Sequence, residues 1–346
     1  ILLLLISATI TFLKPKNFLK DKWNYPLLIS GILMILSCLI QSINYKYSEL
    51  INWSPSLSWI GLANWIPFFL ITWGFQHYLN TEKERERCAL ALLAGSVPVI
   101  VTGIGQVFFN LHGPLEILNG LIIWYSRPSE NNVLTGLFNN PNYAGAWLNI
   151  ILPISFAFLI KRESSVKRII SLIFIVLIIL CIVLTNSRSA WIGLSTSTLL
   201  FFGKKSFKWL IPLCMLISIL ILTSIINDQF NLIPLETLNE FKNFQYLDRL
   251  DIWTTSIQII IKNPLFGSGA SSFNEIYQNV SGLNKFHSHN LALDLLISYG
   301  IPAALFTILP IIILIFLSIS RISQIKISPN YLIERAFITS LIIILL

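Results

Sequence analysis

The sequence predicts an all-α protein: a polytopic bundle of membrane-spanning helices with a long structured loop on one face. Three observations predict it. Hydrophobic residues make up 55% of the 346 and charged residues 12%, whereas soluble domains carry about a quarter charged. The apolar residues fall into long runs separated by short polar segments, the pattern of helices that cross a bilayer. Lys and Arg gather in alternate loops, as expected when the loops lie in turn on either side of a membrane.

Ten apolar segments can be drawn, at 1–13, 26–43, 59–79, 88–109, 141–160, 169–185, 190–203, 209–226, 290–319 and 331–346. The first and last reach the chain ends without a terminal polar flank, so the chain reads as a fragment whose outermost spans are cut. Residues 1–346 are expected to form a single transmembrane bundle. Of the 24 Lys and Arg, 16 lie in the short loops 14–25, 80–87, 161–168, 204–208 and 320–330. Only 7 lie in the opposite loops 44–58, 110–140, 186–189 and 227–289, which are far longer in total. The positive-inside rule makes the short basic loops cytoplasmic and turns the two long loops outward. The net charge of +8 thus serves orientation, and a nucleic-acid partner has no support. Membrane lipids are the expected surroundings. The four cysteines, Cys38, Cys88, Cys181 and Cys214, lie in apolar segments without a C-x-x-C pair, so no disulfide framework or thiolate metal site is read.

Segment lengths carry information. The 14 residues of 190–203 span roughly 21 Å, short of a hydrocarbon core of roughly 30 Å. This sets Arg188 at the outer interface or slightly submerged. The stretch from His289 to Arg321 spans about 48 Å as one helix, too long for a perpendicular crossing. Gly300-Ile301-Pro302 offers a break, giving a short outer helix over 290–299 and the span proper from Pro302. Asn290, Asp294 and Ser298 then share one stripe of the short helix. The outer loop 227–289 is expected to form its own subdomain. Its stretch 247–262 has apolar residues at Leu250, Trp253, Ile257 and Ile260/Ile261, the spacing of an amphipathic helix lying on the outer membrane face. Pro264 stops that helix and Gly267-Ser268-Gly269 turns the chain.

Few residues in so apolar a chain can carry chemistry. Arg188 stands in Thr185-Asn186-Ser187-Arg188-Ser189-Ala190-Trp191. An arginine beside the hydrocarbon is costly and usually has a partner or ligand, and its fork suits phosphate oxygens. It can equally snorkel to headgroups with Trp191 as anchor. Arg249, between Asp248 and Asp251, reads first as a surface ion pair. His287 and His289 account for two of the four histidines. They lack the third and fourth ligands of a metal site, so no metal and no cofactor is expected. His289 suits a general base, with a capping or interfacial histidine as the alternative. Asn140-Pro141-Asn142 opens a span, and Asn140 as N-cap with Pro141 at the first helical position accounts for it.

Taken in order, these residues resemble the O-antigen ligase and O-antigen polymerase superfamily of bacterial inner-membrane glycosyltransferases. Four pieces carry the resemblance. They are Asn140-Pro141-Asn142 at a span start and Ser187-Arg188-Ser189-Ala190-Trp191 at an outer hairpin tip. In the long loop stand Arg249-x-x-Ile252-Trp253 and Asn263-Pro264-Leu265-Phe266-Gly267-x-Gly269. The last is His289-Asn290, followed nine residues later by Gly300. The ligase pattern continues two residues on with Gly, Thr or Tyr, where this chain has Ala303; ligase and polymerase both stay open. The resemblance implies transfer of a glycan from an undecaprenyl-diphosphate carrier to an acceptor hydroxyl, without a metal, on the periplasmic face of the inner membrane. The acceptor would be a glycan, lipid A core or a protein. It implies His289 as the general base, Arg188 and Arg249 as ligands of the diphosphate, and Asn290 and Asn142 as substrate-binding residues. Proteins proposed as bicarbonate transporters share the Arg-x-x-Ile-Trp and Pro-x-x-Gly-x-Gly region but not the His-Asn pair. A transporter should also place ionisable groups mid-span, whereas here they gather at one face.

Overall fold

The computed structural model describes residues 21–44, 53–117, 119–120, 122–124, 133–161, 164–203, 245–324, 327 and 331–344. The spans expected at 1–13 and 209–226, and the loop segment 227–244, lie outside the described residues. Ten helices follow in order. They are α1 (Asn24–Asn44), α2 (Pro55–Phe75, two helical pieces joined by a 3-10 turn), α3 (Glu82–Phe109), α4 (Pro141–Ile160) and α5 (Ser165–Leu184). Then come α6 (Arg188–Phe202), α7 (Gln245–Lys262), α8 (Phe273–Ser281), α9 (Leu291–Gln324) and α10 (Leu332–Ile344). The all-α expectation gains one exception: strands β1 (Leu115–Ile117) and β2 (Ile122–Trp124) pair antiparallel, Leu115 opposite Trp124. Gly120 at their turn has φ +85°, the left-handed geometry that tight hairpins require.

Six helices among the described residues are long and apolar enough to cross a membrane: α1, α2, α3, α4, α5 and α9. The protein is an integral membrane protein. The expectation of about ten spans is thereby reduced for the described residues. α6 has 15 residues and α10 has 13, fewer than the roughly 20 that a straight crossing needs.

The chain divides into two compact units. The first is drawn from Ile1–Tyr78 and Glu240–Leu314, the second from Leu79–Asn239 and Ile315–Leu346. In the second unit α4 is the central helix, and Leu148, Ile151, Leu152 and Ile154 are wholly buried against α5, α6 and α10. Small residues permit the α4–α6 approach. A Cβ on Gly145 would fall 2.4 Å from Ala190 Cβ, and one on Gly193 would fall 2.7 Å from Asn149 Nδ2. Tight small-residue contact is what draws helices together where lipid removes the hydrophobic drive. α10 adds a buried cation: Arg335 is 6% exposed and donates to the carbonyls of Leu200 (2.9 Å), Phe201 and Ile322 (2.7 Å). Leu200 and Phe201 end α6, where carbonyls lack intrahelical partners, so the guanidinium closes that terminus. Arg335→Leu is expected to destabilise the protein by about 2–4 kcal/mol, since several buried acceptors lose their donor together. Thermal unfolding in detergent would register this, and an unchanged midpoint would refute the capping role.

The first unit has two small cores. Met34, Cys38, Leu62, Phe69, Ala270, Leu295 and Tyr299 make one; Ile252, Ile259, Phe273, Tyr277 and Ile297 make the other. The helix expected over 247–262 is present as α7. Ile252, Ser256, Ile259 and Ile260 are buried, whereas Leu250, Ile257 and Ile261 are 53%, 49% and 69% exposed. The helix is apolar on two sides: one packs within the unit, and Leu250, Ile257 and Ile261 of the expected membrane-facing stripe are left exposed.

Candidate functional site

The His289 corner is built by the break in α9. Gly300 has φ +86° and ψ 172°, a conformation open only to glycine, so the expected interruption is found one residue before Ile301-Pro302. The break frees carbonyls of the preceding turn, and the turn after α7 meets them. Ser268 N–H donates to Ile297 O (2.7 Å) and Gly269 N–H to Ser298 O (3.2 Å), while Ile301 N–H returns a bond to Pro264 O (2.7 Å). The glycines of that turn are needed for close approach. A Cβ on Gly267 would lie 2.5 Å from Ile297 O, and one on Gly269 would lie 2.2 Å from the Trp53 ring. α1 completes the joint: Gln41 Nε2 donates to Phe266 O (2.6 Å) and Ser298 O (3.0 Å), and Ser37 Oγ also donates to Phe266 O. Sequence reading passed over Ser37 and Gln41. The available signal was two polar residues one turn apart inside an apolar span.

The short first half of α9 thus stands on a fixed base and presents its start. Asn290 caps it, Oδ1 accepting from Ala292 N–H (3.0 Å) and Leu293 N–H (3.3 Å). Asp294 Oδ1 accepts from Ser288 N–H (3.0 Å), and Ser288 Oγ donates to Asn290 O (2.9 Å). Trp253 Nε1 on α7 donates to Ser288 O (3.1 Å). Ser288 is fully buried and anchors the corner, whereas His287 and His289 on either side are exposed. His289 sits at φ +53°, an uncommon left-handed position for a residue with a side chain. Its ring meets that of His287 edge-on, with centroids 4.1 Å apart. Partial burial, then the charges of His287, Arg249 and Lys285, push the His289 pKa below the ordinary histidine value; Asp294 pulls weakly the other way. A ring so held is neutral at pH 7 and able to accept a proton. Arg249 is exposed on α7 and close enough for its charge to act on this imidazole.

The second unit holds the other two expected residues together. Asn140 is the N-cap of α4, its Oδ1 accepting from Asn142 N–H (2.9 Å) and Tyr143 N–H (3.4 Å), with Pro141 next, as the sequence reading had it. Asn142 Oδ1 accepts from Ser187 Oγ (2.7 Å). Ser187 in turn is the N-cap of α6, accepting from Ala190 N–H (3.3 Å). Arg188 opens α6 and is exposed. A cation in the first turn of a helix faces the positive end of its dipole, so local helix stability does not account for it. Asn149, about two turns along α4 from Asn142, donates to Ala190 O (2.9 Å) and fixes the hairpin tip. The five expected residues therefore fall into two groups. Arg249, His289 and Asn290 lie in the first unit, and Asn142 and Arg188 lie in the second.

Residues 173–308 match the family model described as O-antigen ligase. The matched stretch contains Arg188, Arg249, His289 and Asn290, the joint between Pro264–Gly269 and Gly300, and the Ser187 cap; Asn142 precedes it. No curated protein matches the chain.

Proposed function

We propose that this protein is an O-antigen ligase-like glycosyltransferase. It moves a glycan from an undecaprenyl-diphosphate carrier to an acceptor hydroxyl, at the periplasmic face of the bacterial inner membrane. The observation that carries the reading is His289, an exposed imidazole with a depressed pKa beside Arg249, inside the stretch that matches the O-antigen ligase family model. In the proposed step His289 takes the proton of the acceptor hydroxyl as its oxygen bonds to the anomeric carbon. The bond from that carbon to the diphosphate breaks, and the electron pair leaves with undecaprenyl diphosphate. Arg249 and Arg188 hold the diphosphate, where fixed positive charge stabilises the leaving oxygens as they gain charge. Arg188 has a helix N-terminus behind it, which also favours anions. Asn290 has its Oδ1 committed to the cap and offers its amide N–H groups to a sugar or acceptor oxygen. Asn142 holds the Ser187 turn from which Arg188 projects. The acceptor is lipid A core, a growing glycan or a protein, and the product follows as a ligated lipid or a polymer.

The test is transfer by the purified protein from an undecaprenyl-diphosphate oligosaccharide to these acceptors. Transfer that depends on His289 supports the reading. No transfer, with bicarbonate uptake into vesicles that ignores His289→Ala, would favour transport instead.

A further inference from the structure

The short helix that follows His289 is set off from the span after it. Gly300, at φ +86° and ψ 172°, interrupts α9, so residues 291–299 take their tilt from contacts at their two ends. The outer end is held by Ser288, Asp294 and Trp253. The inner end is held through the carbonyls of Ile297 and Ser298. The turn after α7 supplies two donors to them, Ser268 N–H and Gly269 N–H. A third donor comes from α1, far away in the chain: the side-chain amide of Gln41.

Gln41 is 8% exposed, and Ser37 and Ser58 are wholly buried. Gln41 Nε2 lies 3.0 Å from Ser298 O, 2.6 Å from Phe266 O and 2.9 Å from Ser37 Oγ, and shares its two protons among them. Its Oε1 accepts from Ser58 Oγ on α2 (2.7 Å). Ser58 Oγ accepts in turn from Ala270 N–H (3.2 Å), and Ala270 O from Trp53 Nε1 (2.9 Å). One amide thus ties α1, α2, the turn over 264–270 and the end of the short helix together. A buried polar network whose members are satisfied holds one geometry rigidly. His289 stands nine residues before Ser298, about 14 Å along the helix. Over that length a tilt of about 5° moves the imidazole by roughly 1 Å.

We propose, on the reading of His289 as the base, that Gln41 is a positioning residue for it. Gln41 fixes the tilt of the short helix, and through it the place of the imidazole against the acceptor hydroxyl.

Gln41→Met keeps the length of the side chain and removes its hydrogen bonds. It is expected to lower kcat for transfer about 10- to 100-fold, the effect of a displacement near 1 Å at the reacting atoms. The KM for the undecaprenyl-diphosphate donor should change little, since the arginines that hold it stand on α6 and α7. In the His289→Ala background, Gln41→Met is expected to leave residual transfer unchanged, because two residues that act through one group do not add. An equal loss in both backgrounds belongs to a residue that only supports the fold, and overturns the proposal.

A second measurement needs no transfer. Diethyl pyrocarbonate acylates neutral imidazole, so its rate at His289 across pH, followed by peptide mass spectrometry, reports the ring's pKa. Burial, His287, Arg249 and Lys285 depress that pKa, and Asp294 raises it. A ring moved out of this setting is expected to titrate closer to the ordinary value of about 6.5, so Gln41→Met should shift the midpoint upward. An unchanged midpoint overturns the coupling whether or not the protein transfers glycan. A shifted midpoint in a protein that transfers nothing supports the coupling and counts only against His289 as base. Ser37→Ala removes one donor to Phe266 O and leaves Gln41 in place, and a smaller shift of the same sign is expected. If Gln41→Met does not fold, an unshifted Ser37→Ala overturns the proposal.

Discussion

Replacing His289 with alanine is expected to lower glycan transfer by about 10²- to 10⁴-fold, the usual contribution of a general base. The protein should remain folded, because the corner is anchored by Ser288, Asn290 and Asp294 rather than by the imidazole. The pH dependence identifies the residue. A general base works only when neutral, so activity falls as pH drops through its folded pKa. That pKa is depressed by desolvation, then by His287, Arg249 and Lys285, so the acid limb of kcat/KM should lie below the ordinary histidine value of about 6.5. Removing a neighbouring positive charge must raise the pKa and carry the limb to higher pH. His287→Gln is expected to do this with little other effect. Arg249→Gln is expected to do the same and to weaken donor binding as well. A limb that stays in place in both variants, or that persists in His289→Ala, would remove His289 from the role of base.

Gly300→Ala is expected to cost more than about 4 kcal/mol and to leave little folded protein, the scale reached only when several mechanisms act together. Two act here. Alanine is strained at φ +86°, and its Cβ would stand 2.3 Å from Leu265 O and 2.7 Å from Phe266 N. These are backbone atoms of a turn held by Gln41 and by three backbone bonds to α9, so they cannot step aside singly. Gly282→Ala is the matched control. It too has positive φ, +71°, but nothing lies within 4 Å of its would-be Cβ, so strain alone should cost about 1–2 kcal/mol. Thermal unfolding and protease resistance of the two variants side by side decide the matter. Equal losses would mean that the close packing of the turn against the break adds nothing.

Which parts were legible from sequence follows from what apolar patterning measures. It measures whether a residue avoids water, and helices in lipid avoid it on every side. Segment bounds could therefore be read closely: 141–160 is α4 to the residue, and 26–43 lies within α1. The break before Pro302 was legible from segment length together with Gly300 and Pro302, and the Asn140 cap from residue type. The buried face of α7 was not, because Leu250, Ile257 and Ile261 are as apolar as the residues that pack. The β1–β2 hairpin was missed because six residues give too short an alternation to stand out.

The sequence by itself determined the membrane class, the approximate positions of the apolar helices among the described residues, the alternation of basic loops and the positions of the few polar residues that apolar surroundings would not tolerate without a use. Those properties are local, set by side-chain hydrophobicity, by glycine and proline backbone limits and by capping. Only the tertiary structure decided that Gly267, Gly269 and Gly300 form one joint, that Ser37 and Gln41 lock it, and that Asn142 holds the Ser187 turn. These depend on hydrogen bonds between residues far apart in the chain. Such bonds leave no periodic trace, because a backbone carbonyl freed by a break can be met by any donor the fold brings to it.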